Sequence, residues 1–215
     1  MKRIYIFCEG QTEETFVREV LYAHFCALNV FVTPIVLRTG KQGKGGVTSY
    51  KNMKEQINKK CREDQASFVT TFIDFYGLYK VTDFPDIERI KSQPTQEKIL
   101  LAERSLGQDI NMANFIPNII MHEFEGLLFS NPDAFSYFVD SVDVIESIRN
   151  IRKSFENPEM INDGISTAPS KRIISLCDKY EKVLYGSLIA LEIGLSNIRR
   201  ECPHFHSWIK RLESL

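Results

Sequence analysis

Four acids stand just past apolar runs in this chain: Glu9 after RIYIFC, Asp74 after FVTTFI, and Glu123 and Glu125 after FIPNIIM. Runs of this length rich in Ile, Val and Phe read as buried strands of a parallel sheet, whose ligands bind beyond the carboxyl ends of the strands. Carboxylates gathered there repel one another unless a cation sits among them, and hard oxygen donors favour Mg²⁺ or Mn²⁺ over zinc. The chemistry this permits is metal-dependent work on phosphate esters. The plainer reading is that each acid caps a helix. Glu13, four residues after Glu9, is a further ligand candidate, whereas Glu13 and Glu14 also suit the positive end of a helix dipole.

The elements that must carry these acids follow from periodicity. A strand over residues 3–8 leads through the Glu9-Gly10 turn to a helix capped by Thr12, with Phe16, Val17, Val20, Leu21, Phe25 and Leu28 at helical spacing. VFVTPIVL reads as a second strand that Pro34 demotes to an edge or bulged strand. A polar helix is expected over 50–62, a third strand over 68–73 and a loop through DFYGLYKVTDFPD. Pro94 opens a helix to about Leu106, and a fourth strand is expected over 115–121. Strands alternating with helices argue for an α/β fold with a right-handed parallel sheet of about four strands. No strand is expected beyond Asn131, so the organisation predicted is an α/β core, 1–130, and a helical extension packed on it, 131–215.

Composition narrows the function classes. Lysine and arginine number 27 against 28 acids, so no global basicity points to nucleic acid and any such surface must be local. The five cysteines are scattered without a CxxC, which argues against a disulfide framework or a zinc ribbon. MKRIYIFCEG is too short in apolar residues for an export signal, and no run approaches about eighteen apolar residues. The expected location is the cytoplasm, with no membrane partner. His204 and His206 project to different sides of a helix and cannot share a metal. GKQGKGG is not a Walker A loop, which excludes that route to nucleotide hydrolysis.

IFCEGQTEETFV resembles the first motif of Toprim domains, an apolar strand ending in Glu-Gly, and TTFIDFYGL stands where that fold places an Asp-x-Asp strand end. Together EGQTEE, IDFYGL, HEFEGLLFSNP, INDGISTAPSKRI and IRRECPHFHSWIKRL resemble the bacterial domain of unknown function family 4276 over nearly the whole chain. The resemblance implies a Toprim-like, Rossmann-like sheet, an acid-base or metal role for Glu9 and Mg²⁺ binding by Asp74. It also implies a link to phage defence with an ATPase partner. The second acid of Asp-x-Asp is Tyr76 here, and Glu123 or Glu125 is the replacement expected, as in nucleases similar to the overcoming-lysogenization-defect group.

Phosphoryl chemistry also needs positive charge. Ser170, Lys171 and Arg172 follow Pro169 at an expected helix start, where backbone N–H groups and two cations suit a phosphate; a solvated helix end is the plain alternative. Arg38, Lys41 and Lys44 in the glycine-rich loop, with Gly10, are the other expected phosphate contacts. His122 reads either as a general base or phosphate donor or as a packed residue. Two functions follow. One is a Mg²⁺- or Mn²⁺-dependent phosphodiester hydrolase acting on DNA or RNA, with Glu9, His122, Lys171 and Arg172 catalytic. The other is a non-catalytic module that binds nucleic acid or nucleotide, or docks an ATPase.

Overall fold

The computed structural model describes residues 1–38, 47, 49–162, 164 and 166–215. Contacts divide the chain into two compact units, Met1–Ile120 and Met121–Leu215. The division falls earlier than residue 130 because the sheet ends at Ile120 and HEFEGLLFS folds within the second unit.

The first unit is a four-stranded parallel sheet flanked by helices, with strand order β2-β1-β3-β4. Central strand β1, Lys2–Cys8, buries Ile4, Ile6, Phe7 and Cys8 to no more than 2% exposure, as a strand covered on both faces must. On one side it pairs with β2, Val30–Val36, whose Pro34 is accommodated because this strand is an edge. On the other it pairs with β3, Phe68–Phe72, and β3 pairs with β4.

The fourth strand is shorter than expected. β4 spans only Phe115–Ile116, since Pro117 has no N–H to continue the ladder. The buried Thr71 hydroxyl and Asn118 amide take over: Asn118 Nδ2 donates to the Thr71 carbonyl at 2.9 Å, and Asn118 N donates to Thr71 Oγ1 at 3.2 Å. Pairing then resumes as a single bridge between Asp74 and Ile120.

The helices of this unit are α1 (Gln11–Phe16), α2 (Tyr22–Ala27), α3 (Tyr50–Glu63), α4 (Phe75–Leu78), α5 (Ile87–Lys91) and α6 (Thr95–Ile110). A π-helical turn, Val17–Leu21, joins α1 to α2 and turns Val17, Val20 and Leu21 into the core. Thr12 is not the cap. The helix starts at Gln11 behind Gly10, whose N–H donates to Glu13 Oε2 at 2.8 Å, and Thr12 is buried in the first turn. The expected loop after Asp74 contains α4 and leads to α5, and Pro94 is the residue before α6 rather than its first.

The second unit contains no strand among the described residues. Its helices are α7 (Val142–Lys153), α8 (Pro169–Leu176), α9 (Ser187–Ile193), α10 (Leu195–Glu201) and α11 (Pro203–Glu213). A 3₁₀ segment, Phe124–Ser130, is buried at every residue: Phe124, Leu127, Leu128 and Phe129 are apolar, and its two polar side chains have partners, Glu125 with Lys182 and Ser130 with Cys202. Further 3₁₀ turns, Pro132–Tyr137 and Pro158–Met160, and a π-helical turn, Lys182–Gly186, complete it. Phe205, Trp208, Ile209 and Leu212 put the apolar stripe of α11 into this core. No helix among the described residues is long and apolar enough to cross a membrane.

Candidate functional site

The chain passes from β1 to β2 on one side and then returns to place β3 on the other, so the strand order switches direction between β1 and β3. Glu9 and Asp74 follow those two strands, at the crevice where open α/β sheets bind ligands. The two are tied together: Asp74 N–H donates to Glu9 Oε2 at 3.1 Å. Asp74, two residues beyond β3, is in extended backbone, φ −74° and ψ 132°, and opens α4.

Gly77, in α4, is the residue the sequence reading missed. A Cβ there would lie 2.8 Å from Glu9 Oε1 and 2.9 Å from Oε2, so the Glu9 carboxylate rests against the bare Cα of Gly77. The sequence reads this stretch as a loop, where glycine is unremarkable, so it carried no signal for Gly77. Gly77→Ala should leave the circular dichroism spectrum intact but push Glu9 off the Asp74 N–H. Calorimetric affinity for Mn²⁺ should fall by about 10- to 100-fold, the range for disturbing a ligand's support; an unchanged affinity would count against this packing as functional.

The other candidates of the first unit have structural work. Glu13 holds the Gly10 N–H, and Glu14 pairs with Arg18 at 2.6 Å. Tyr76, in place of the second acid, lies under Lys80 Nζ at 4.5 Å from its ring centroid. Burial pushes the Cys8 thiol up, and Glu13 and Glu14 add to this, so Cys8 is no nucleophile. Arg38 uses its backbone on α3, its N–H donating to Gln56 Oε1 at 3.1 Å and its carbonyl accepting from Asn52 at 2.6 Å. Lys41 and Lys44 lie outside the described residues.

Glu123 and Glu125 do not end a strand. After Ile120 the chain turns at His122, a buried non-glycine residue with φ 65°, and Glu123 precedes the 3₁₀ segment. Glu123 Oε2 accepts the Ser170 N–H at 3.0 Å, so the anion expected at the start of α8 is supplied by the protein itself. Arg172 is held by the Thr167 carbonyl at 2.7 Å and Asn162 Oδ1 at 3.1 Å, and lies over Phe155; Lys171 is exposed. The structure thus brings Glu9, Gly10, Glu13 and Asp74 together in one unit, and Glu123 and Ser170 together in the other.

Glu125 is 2% exposed and pairs with Lys182 Nζ at 3.1 Å. Burial raises its pKa, Lys182 opposes that and Glu123 adds to it. A carboxyl whose folded pKa is raised contributes stability below its unfolded pKa that is lost as pH rises through the folded value. The melting temperature of Glu125→Gln relative to wild type should therefore climb as pH increases above 4.5, the ordinary glutamate value; a pH-independent difference would show the shift is absent.

Among the described residues, no three His, Cys, Asp or Glu side chains stand as a metal-holding group. Two hard carboxylates do stand at the switch point, one fixed by a backbone N–H and a bare glycine Cα. Mg²⁺ commonly takes only one or two protein carboxylates, with water and substrate phosphate completing its shell, so the donor set fits a divalent cation.

These features define an α/β protein with a parallel sheet and two acids, Glu9 and Asp74, at its switch point. The chain belongs to the family described as Domain of unknown function (DUF4276), whose model matches residues 8–213. A solved structure of the C-terminal region of the OLD protein of Xanthomonas campestris pv. campestris is 15% identical, with 100% of this chain and 99% of that one covered, at a TM-score of 0.41. No curated protein matches the chain.

Proposed function

We propose that the protein is a divalent-metal-dependent phosphodiester hydrolase acting on DNA or RNA. The observation that carries this is the tied pair at the switch point, Glu9 fixed by the Asp74 N–H and the Gly77 Cα. The residues that would hold Mg²⁺ or Mn²⁺ are Glu9 and Asp74. Bound there, the cation would polarise the phosphoryl oxygens and favour a nucleophile at neutral pH. The protein's own part is to keep the Glu9 carboxylate pointed into the crevice and to hold Asp74 beside it at the start of α4. The resemblance to Toprim domains supports the same assignment, and a role in phage defence with an ATPase partner in the cytoplasm belongs to this proposal.

One observation favours a second reading, a non-catalytic module that binds nucleic acid or nucleotide or docks an ATPase. Tyr76 stands where the second acid of the motif would be, and its ring is covered by Lys80. Calorimetry with Mg²⁺ and Mn²⁺ separates the two: the hydrolase binds one of them at millimolar concentration or below, and absence of binding leaves only the module.

A further inference from the structure

We propose that the helical unit carries a binding site for a single nucleobase bearing an amino group, presented either by a free nucleoside or by an unstacked base of a single strand. The site is a cavity of about 290 Å³ formed wholly by residues of the second unit. That is the lower end of ligand-pocket size, which suits one ring system rather than an extended ligand.

Its walls are aromatic. Phe135, Phe138, Tyr180 and Tyr185 line it. The Tyr180 and Tyr185 rings are near parallel, with centroids 6.4 Å apart and 29° between planes, and Phe138 meets Tyr185 edge-on at 6.0 Å. Such surfaces take the face of a planar heterocycle, and stacking of this kind tolerates any base. Tyr185 is only half-buried, so its ring is reachable.

The edge of the cavity selects among planar ligands. Asp140 and Asp178, both exposed, outnumber the one cation there, Lys179. Carboxylates only accept hydrogen bonds, which matches the amino groups of adenine and cytosine and opposes a phosphate at the mouth. Tyr180 is 9% exposed, and its hydroxyl is buried without a hydrogen-bond partner among the described residues. Burial, then Glu125 and Glu123, keep that phenol protonated, so Tyr180 offers the cavity its ring and brings no charge to the wall.

None of this uses the metal crevice, and the test is run in EDTA so that the two readings fail separately. The full chain is titrated by calorimetry with adenosine, cytidine and uridine, and with an adenine-rich single strand and its duplex. Adenosine and cytidine should bind, uridine should bind more weakly, and Tyr185→Ala should weaken binding by about tenfold or more while Tyr185→Phe retains it. Binding of the single strand but not the duplex assigns an unstacked base, and binding of nucleosides alone assigns a free nucleoside. Asp178→Asn, at an exposed position, should reduce the preference over uridine even if Tyr185→Ala fails to fold. No binding of any probe at millimolar concentration, equal binding of uridine, or full affinity in Tyr185→Ala would overturn the proposal.

Discussion

Glu9→Gln is expected to lower Mg²⁺-dependent cleavage of nucleic acid by about 100-fold or more, since an outer partner of a metal ligand alone contributes up to about 100-fold. Glutamine keeps an oxygen to accept the Asp74 N–H at the length now seen, 3.1 Å, so the crevice should keep its shape while losing its charge. Melting temperature and circular dichroism should match wild type. Asp74→Asn should behave alike for the same reason: it changes a side chain, whereas the bridge to Ile120 and the N–H to Glu9 belong to the backbone. Loss of both cleavage and fold would mean that the carboxylates are structural. Cleavage at the wild-type rate would remove Glu9 from the chemistry altogether.

The largest expected loss of stability lies in the second unit, at Phe124. Its side chain is 0% exposed at the start of the buried 3₁₀ segment, where no solvent face lets neighbours relax outward. Truncating a buried phenylalanine to alanine removes about 3–5 kcal/mol through lost transfer and the cavity left behind. For a chain of this length that lowers the melting temperature by roughly 10 °C. Phe124→Leu should cost clearly less, because most of the volume stays. Urea denaturation midpoints of the two variants against wild type check this, and equal midpoints for alanine and leucine would show that the segment is not packed as described.

Much of the fold was legible because it depends on local pattern. Pro34 announced an edge or bulged strand, continuous apolar runs announced β1 and β3, and the polar run over 50–62 announced α3. What was not legible depends on partners distant in sequence. Strand β4 stops at Ile116 because Pro117 lacks an N–H, and only tertiary pairing makes Thr71 and Asn118 fill the gap. Thr12 has the better capping side chain, yet Glu13 reaching back to the Gly10 N–H sets the helix start two residues earlier.

The site was legible to the same limit. Glu9 and Asp74 stand at adjacent strand ends, as a parallel sheet requires. Gly77 was missed because its glycine matters only against a carboxylate 68 positions away in sequence, at 2.8 Å from where a Cβ would be. The N–H groups at the start of α8 looked ready for phosphate, and the fold fills that place with Glu123. A buried helix end needs an anion or acceptor, and sequence alone does not say whether ligand or protein provides it.

The measurement that bears most directly on the central claim is a crystal structure of the protein grown with Mn²⁺, read by anomalous scattering at the manganese edge. A manganese peak coordinated by both the Glu9 and Asp74 carboxylates is expected, absent from crystals of Glu9→Gln grown alike. A peak elsewhere with the Glu9 and Asp74 carboxylates free of metal, or no peak at all in well-ordered wild-type crystals, would contradict it.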